Sequence, residues 1–365
     1  MSQKAYLVLE NGKIFCGERF GAPGDITGEV VFTTGMTGYL ETLTDPSYHG
    51  QLVVQTFPLI GNYGVIPEDF ESKRPALRAY IVRQWCEQPS NFRSQGDVDA
   101  MLKKYGVIGI CGIDTRALTK ILREYGVMNG MICSSLPEDI AALTSYLRDT
   151  PCGSDVSQVT CGTTYTVGDA VSKYHVALWD FGAKGGIIRA LTKHGCRVSI
   201  VPAETTAAQI LALKLDGIML SNGPGDPKDN QKIIREVSAL MQFGLPMFGI
   251  CLGHQLMALA MGAKTTKLKY GHRGANQPVK DLKTGRVYIT SQNHGYAVVN
   301  ETLPSSCGNI RFINTNDGTC EGIDYLNVPA FSVQFHPEAC AGPLDTAVLF
   351  DRFIRLMEEN TNAPQ

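Results

Sequence analysis

The chain has 365 residues, about twice the length of an average domain, so its length predicts two domains. Hydrophobic residues make up 44% and charged residues 19%, which excludes a disordered or collagen-like chain. The formal net charge is −2 without a long run of one sign, which favours small-molecule chemistry over binding to nucleic acid or a membrane.

The N-terminus lacks an apolar segment of signal-peptide length, and no stretch approaches the roughly 18 apolar residues of a membrane span. We therefore expect a cytoplasmic protein. The eleven cysteines are scattered and never form a Cys-x-x-Cys pair. Their pattern predicts reduced thiols and no zinc site.

The first half mixes short strands with turns and one helix. Tyr6–Leu9 alternates as a strand does, and turn residues cluster at 21–25 and 45–50. A helix is predicted over Asp114–Arg123, because an Asp precedes apolar residues at helical spacing. This pattern predicts an N-terminal α+β domain over residues 1–150.

Residues 151–173 are small and polar, and we interpret them as a linker. From 174 to 365 apolar runs alternate with helical stretches, which predicts an α/β domain with a mainly parallel central sheet. A closing helix is expected near Asp345–Met357. In such sheets, functional sites lie beyond the carboxyl ends of the strands. The predicted strands are 175–181, 196–201, 216–220, 246–250, 286–291, 311–314 and 330–335.

Cys251 lies at the centre of Gly249-Ile-Cys-Leu-Gly253, after a predicted strand and before a helical stretch. This arrangement predicts a nucleophile elbow, a strained turn in which side chains at the glycines would clash with strand and helix. The helix N-terminus would favour the thiolate and offer N–H groups to an oxyanion. The alternative is a buried core cysteine beside two packing glycines.

A thiol nucleophile needs a base, and four histidines are candidates: His254, His272, His294 and His336. His254 lies about one turn along the helix from Cys251, so we expect it to pack against the elbow. His336 follows a predicted strand, and Glu338 lies two residues later. Such a histidine can exchange the thiol proton while a carboxylate orients its ring. The alternative for His-Pro-Glu is a solvated turn.

A third motif, Asn222-Gly-Pro-Gly-Asp-Pro227, also follows a predicted strand. Its glycines and prolines would fix a loop whose backbone N–H groups, such as that of Gly223, face a substrate oxygen. The alternative is an ordinary tight turn. Two weaker features are interpreted structurally: Gly182–Gly186 as a packing turn, and Lys269–Asn276 as a glycine-rich surface loop.

Together these motifs resemble those of the class I (triad) glutamine amidotransferases. Within that superfamily, the chain resembles the small, glutamine-hydrolysing subunits of carbamoyl-phosphate synthases. The resemblance is carried by Ser291–Tyr296, by Lys269–Val279 and by motifs of the first half, namely Thr37–Tyr39, Leu43–Tyr48, Gly61–Gly64 and Gly112–Leu118. It covers nearly the whole chain.

The resemblance implies Cys251 as nucleophile, His336 as base and acid, and Glu338 as the orienting carboxylate. It implies an oxyanion hole made by the N–H groups of Gly223 and Leu252. Because one implied glutamine ligand, Ser47, lies in the first domain, the pocket is expected between the domains. The implied glutamine-binding residues are Ser47, Gly223, Gly225, Leu252, Gln255, Asn293, Gly295 and Tyr296.

The implied activity is hydrolysis of glutamine through a glutamyl thioester, with ammonia passed through a tunnel to a large subunit. That partner would make carbamoyl phosphate from bicarbonate and two molecules of ATP, for pyrimidine or arginine synthesis. No metal or other cofactor is expected on this chain, whereas ATP and Mg²⁺ are expected on the large subunit. The two chains would form a heterodimer or a higher oligomer of it.

The same motifs also allow three other functions. The glutaminase components of anthranilate or GMP synthesis share the triad motifs, but the long N-terminal part argues against them. A cysteine peptidase on the same fold would cleave peptides rather than free glutamine. A non-catalytic regulatory subunit is disfavoured because Cys251, His336 and Glu338 are all present.

Overall fold

The structure, a computed structural model, describes residues 3–150, 153, 155–339 and 341–361. The chain divides into two compact units, Met1–Ser154 and Asp155–Gln365. Within the described ranges, no helix combines the length and the apolar character that crossing a membrane requires.

The first unit contains a closed β-barrel. The strands of this unit are β1 Lys4–Leu9, β2 Ile14–Gly21, β3 Ile26–Thr33, β4 Gln51–Gln55, β5 Leu59–Ile60, β6 Ala79–Ile81, β7 Gln84–Trp85, β8 Ile108–Cys111 and β9 Met128–Cys133. Its helices are α1 Tyr39–Thr44, α2 Val98–Tyr105, α3 Thr115–Tyr125 and α4 Ile140–Asp149. The barrel order is β1-β2-β8-β6-β4-β3-β9, and β5 and β7 form a separate two-stranded sheet.

The predicted α+β character of this unit is confirmed. Strand β1 covers the predicted strand, and α3 covers the predicted helix. Asp114 caps that helix because its carboxylate accepts a hydrogen bond of 2.9 Å from the N–H of Ala117. Buried side chains such as Val31, Val53 and Tyr80 form the core.

The second unit is a ten-stranded sheet with helices. Its strands are β10 Tyr165–Val167, β11 Tyr174–Asp180, β12 Cys196–Pro202, β13 Gly217–Leu220, β14 Met247–Ile250, β15 Thr265–Asp281, β16 Val287–Val298, β17 Gly308–Asn314, β18 Cys320–Tyr325 and β19 Ala330–Val333. Its helices are α5 Gly185–Lys193, α6 Ala207–Leu211, α7 Gln231–Met241, α8 Leu252–Ala260 and α9 Val348–Thr361. The strand order is β10-β12-β11-β13-β14-β19-β18-β17-β15-β16.

The predicted parallel sheet is found at the centre of this order. Strands β12, β11, β13, β14 and β19 are mutually parallel neighbours, whereas the flanking pairs are antiparallel. Along β11, Val176 and Leu178 join the core on one face, and Ala177 and Trp179 join the core on the other. Burial on both faces explains why these strands are continuous apolar runs in the sequence.

The structure differs from the sequence predictions in several details. Strand β18 was not predicted, and β16 extends seven residues beyond the predicted strand 286–291. Part of the predicted linker forms β10, which pairs with β12 and extends the second sheet. The closing helix α9 begins at Val348, three residues later than predicted. Residues 269–276 lie within the long strand β15 rather than in a loop, because pairing with β16 accommodates their glycines at two register shifts.

Candidate active site

The three motifs found in the sequence follow three adjacent parallel strands. Strand β13 pairs with β14, and β14 pairs with β19. The register places Ile250 opposite Val333, and the N–H of Cys251 donates to the Val333 carbonyl at 2.9 Å. Because parallel strands end at the same edge, the Asn222 loop, Cys251 and His336 all emerge at one edge of the sheet.

Cys251 has the backbone geometry of a strained elbow. Its φ is 54° and its ψ is −104°, a conformation that residues with a side chain rarely adopt. A Cβ on Gly249 would lie 2.6 Å from the Met257 sulfur, and a Cβ on Gly253 would lie 2.5 Å from the Leu220 carbonyl oxygen. Both positions therefore require glycine, as the sequence motif predicts.

The loop after β13 approaches the elbow closely. A Cβ on Gly223 would collide with the carbonyl of Phe181 and would lie 2.8 Å from Cδ2 of Leu252. The side chain of Asn222 fixes this loop, since its amide donates to the Gly182 carbonyl at 2.9 Å and its oxygen accepts from the N–H of Lys184 at 3.1 Å. The loop is thus a constrained structure rather than an exposed turn.

His336 and Glu338 form a buried pair. Nδ1 of His336 lies 2.7 Å from Oε1 of Glu338, and the side chains are 1% and 0% exposed. Nε2, the ring nitrogen that could exchange a proton with a thiol, makes no hydrogen bond within the described residues. The Cys251 thiol nevertheless lies near enough to influence the ring. Incomplete contact of this kind is common before a substrate binds.

Lys184 belongs to this site, although its segment, Gly182–Gly186, is predicted from the sequence as a packing turn. Its ammonium nitrogen lies 3.4 Å from Oε1 of Glu338, and its side chain is 9% exposed. The available signal was its position directly after β11, the neighbour of β13. The sequence alone does not show that Lys184 lies beside Glu338, because only the fold brings these two residues together.

The electrostatics favour a positively charged ring at neutral pH. Burial lowers the pKa of His336, as does the charge of Lys184, but Glu338 and the Cys251 thiol outweigh both and raise this pKa to about 9. Burial alone would raise the pKa of Glu338, but the charges of His336 and Lys184 outweigh burial and lower this pKa to about 2. An imidazolium beside the sulfur stabilises a negative charge on it.

Four of the predicted glutamine-binding residues lie at the elbow: Gly223, Leu252, Gln255 and Asn293. The Asn293 carbonyl accepts a weak hydrogen bond of 3.7 Å from the Cys251 thiol. The Gln255 side-chain amide donates to the Tyr296 carbonyl at 2.7 Å and to Gln334 at 2.8 Å. Gln255 is therefore held rigidly at the start of α8. Leu252 is the first residue of that helix, Gly225 has a φ of 90°, and Gly295 precedes Tyr296 in β16.

Ser47 lies in the first unit, in a short 3₁₀ helix over Pro46–Tyr48. It is buried, and its N–H donates to the Asp45 carboxylate at 2.8 Å. Its contact with a substrate stays a prediction.

His254 has a packing role, as we expected from its position. It is fully buried, and its Nδ1 lies 2.8 Å from the Ser332 hydroxyl. Burial lowers the pKa of His254 to about 3, so its ring is neutral at physiological pH. Its partner is the strand beneath the helix rather than the nucleophile.

The second unit matches a known protein family. Residues 177–356 match the family of class-I glutamine amidotransferases. The parallel sheet and the strand-end cysteine, histidine and carboxylate agree with that match. A solved glutamine amidotransferase structure from Thermotoga maritima overlaps 52% of this chain and 86% of its own, with 16% identity and a TM-score of 0.38.

The first unit and the chain as a whole also match known proteins. Residues 7–132 match the CPSase domain of the carbamoyl-phosphate synthase small chain. The carbamoyl phosphate synthase small chain of Bacillus caldolyticus is 50% identical, over 98% of this chain and 97% of its own. That of Chlorobaculum tepidum is 51% identical, over 98% and 99% respectively. This chain therefore belongs to the family of carbamoyl phosphate synthase small chains.

Proposed function

We propose that this chain hydrolyses L-glutamine to glutamate and ammonia through a thioester on Cys251, and that it delivers the ammonia to a large subunit. One observation carries the proposal. A buried cysteine in a strained elbow and a buried His336–Glu338 pair emerge from adjacent parallel strands.

In the first step, the Cys251 thiolate attacks the carbon of the substrate's side-chain carboxamide. Negative charge develops on the carboxamide oxygen, where the N–H groups of Gly223 and Leu252 would stabilise it. The N–H of Leu252 suits this role because the first N–H groups of a helix have no partner within the helix. The N–H of Gly253 is already donated to the Ser221 carbonyl at 3.0 Å.

His336 then carries the proton. Its imidazolium donates a proton to the departing nitrogen, the carbon–nitrogen bond breaks, and ammonia leaves a glutamyl thioester. The neutral ring next takes a proton from water, whose oxygen attacks the thioester and releases glutamate and the thiolate. Glu338 holds the ring in position, and Lys184 holds Glu338.

Glutamine recognition requires groups for its α-amino and α-carboxyl ends as well as its carboxamide. We assign this role to the predicted set: Ser47, Gly223, Gly225, Leu252, Gln255, Asn293, Gly295 and Tyr296. Gln255 and Asn293 support the assignment because both contact the elbow region directly.

Delivery of ammonia requires a partner. We assign the ATP, the Mg²⁺ and the bicarbonate chemistry to a large subunit that receives ammonia through a tunnel. The family membership of this chain supports such a partner. The carbamoyl phosphate would serve pyrimidine or arginine synthesis.

The test uses this chain with and without its large subunit. We expect ammonia release from glutamine, and carbamoyl phosphate formation in the complex, both abolished by Cys251→Ala. The Cys251→Ala complex should still use added ammonia, which separates glutaminase loss from misassembly. Cys161→Ala is the matched control, since Cys161 is a half-buried thiol elsewhere in the second unit. Peptide cleavage, or glutamine use that survives Cys251→Ala, would contradict the proposal.

A further inference from the structure

A buried cluster of His272, His294 and Glu321 lies where strands β15, β16 and β18 carry them, apart from the triad. The three residues are 8%, 5% and 0% exposed. One nitrogen or oxygen atom of each lies within 4.8 Å of the corresponding atoms of the other two. The two imidazole rings meet edge to face, with centroids 4.9 Å apart.

One ring nitrogen of each histidine is fixed by an acceptor on its outer side. Nε2 of His272 lies 2.9 Å from the Asp317 carboxylate, and Nδ1 of His294 lies 2.8 Å from the Tyr296 carbonyl. Those nitrogens carry the protons if they donate to these acceptors. The remaining nitrogens, Nδ1 of His272 and Nε2 of His294, then present lone pairs.

These lone pairs face other acceptors. Nδ1 of His272 makes no hydrogen bond within the described residues, and it lies 3.4 Å from Oε1 of Glu321. Nε2 of His294 lies 3.0 Å from the side-chain oxygen of Gln292. The Gln292 oxygen points this way because its amide nitrogen donates to Glu321 at 2.9 Å. Facing acceptors repel each other unless a proton or a metal ion lies between them.

We propose that Nδ1 of His272, Nε2 of His294 and a carboxylate oxygen of Glu321 bind a zinc ion, with the Gln292 oxygen or water as fourth ligand. Two imidazoles and a carboxylate form a ligand set that zinc adopts in proteins. The ring nitrogens that would not bind the ion contact Asp317 and Tyr296. Such hydrogen bonds orient the histidines that bind zinc in proteins. A tetrahedral ion with bonds of about 2.1 Å holds its ligands roughly 3.4 Å apart, which is the distance from Nδ1 of His272 to Oε1 of Glu321. Ligand pairs that lie as far apart as 4.8 Å would have to close by about 1.4 Å.

The sequence pattern does not indicate this site, because closely spaced cysteines and histidines are what signal zinc in a sequence. The ligands here lie on three strands and up to 49 residues apart, from His272 to Glu321. Asp317 is 42% exposed at its side chain, which gives an ion a route from solvent. His294 also adjoins Asn293, whose carbonyl contacts the nucleophile, so a bound ion would stiffen this part of β16.

The test is competition of the chelator-stripped full-length chain with a chromophoric zinc chelator. We expect one site per chain that is unchanged in Cys251→Ala. Glu321→Gln should weaken it by more than 100-fold, and Asp317→Asn should weaken it by about 10- to 100-fold, as loss of a second contact does. Cobalt at the site should give visible d–d bands without a thiolate charge-transfer band.

Glu321→Gln retains the size of the side chain but replaces one of its two acceptor oxygens, which Gln292 and Asn314 contact, by a donor. Its thermal unfolding without zinc therefore controls for folding. His272→Ala provides an independent ligand deletion. The proposal is overturned if no stoichiometric zinc binds, or if binding survives Glu321→Gln and disappears in Cys251→Ala. A cobalt spectrum dominated by thiolate charge transfer would equally assign the ion to cysteines.

Discussion

Replacing Cys251 by glycine should leave a more stable protein than replacing it by alanine, although both variants lack the nucleophile. The reason is the backbone at this position, with φ at 54° and ψ at −104°. Any residue with a Cβ is strained there, whereas glycine is not. The thiol would then be retained for chemistry at a cost in stability.

The magnitude follows from two opposing effects. Backbone strain in a rarely populated region costs about 1–3 kcal/mol. Glycine loses about 0.5–1 kcal/mol relative to alanine in ordinary strands and helices, because it has more conformational freedom to lose. We therefore expect the Cys251→Gly variant to exceed Cys251→Ala by about 1 kcal/mol in free energy of unfolding.

Cys196 provides a matched control. It is buried in β12 like Cys251 in its elbow, but it is not among the described residues with positive φ. At Cys196, glycine should be less stable than alanine. The Gly–Ala difference in unfolding free energy at position 196 is subtracted from that at position 251, which removes the entropic cost of glycine. The remainder is the backbone strain at Cys251, about 1–3 kcal/mol.

Urea unfolding of the full-length chain measures these differences. Trp179 is fully buried in the second unit and Trp85 lies in the first, so a Trp85→Phe background lets Trp179 report on the second unit. The Cys251 variants should release no ammonia from glutamine, whereas the Cys196 variants should. If glycine destabilises position 251 as much as position 196, the elbow is not strained and the reasoning fails.

Three further predictions concern the surrounding residues. Gly253→Ala should reduce ammonia release by about 10²–10³-fold, because the added methyl group would displace the N-terminus of α8. Gly162→Ala is the control, since a methyl group there would meet no other atom, and it should not reduce the activity. Equal activities of the two variants would refute the packing argument. The pKa of His336 is raised to about 9, so the stabilisation from its charge is fully present below pH 6.5 and is lost as the pH rises through 9. The unfolding free energy of wild type relative to that of His336→Asn should therefore fall by up to about 3 kcal/mol between these pH values. A difference that stays constant with pH would contradict the charged pair. Lys184→Met should raise the pKa of His336 further, because the charge of Lys184 lowers it, whereas Lys184→Arg should leave it unchanged. NMR titration of the His336 ring measures this pKa. An unchanged or lower pKa of His336 in Lys184→Met would count against the contact of Lys184 with Glu338.

The parts of the fold that depend on local pattern could be predicted from the sequence. The apolar runs after residue 173 correspond to buried parallel strands, and Cys251 with its glycines corresponds to a strand–helix elbow. Since neighbouring parallel strands end together, the strand-end rule also placed His336 near Cys251.

The parts that depend on contacts distant in sequence could not be predicted. Lys184 approaches Glu338 only because β11 and β19 belong to one sheet. The buried cluster of His272, His294 and Glu321 depends on strands β15, β16 and β18. The long strand β15 was predicted as a loop because its glycines indicate turns, and pairing with β16 overrides that local preference.

The most direct test of the central claim is to trap the covalent intermediate. The chain is mixed with isotopically labelled glutamine, quenched in acid and digested, and each cysteine peptide is examined by mass spectrometry. We predict a glutamyl group on Cys251, retained in the Cys161→Ala control and absent from Cys251→Ala. A label on another cysteine, or glutamine hydrolysis without any label on Cys251 under conditions that trap thioesters, would contradict the account.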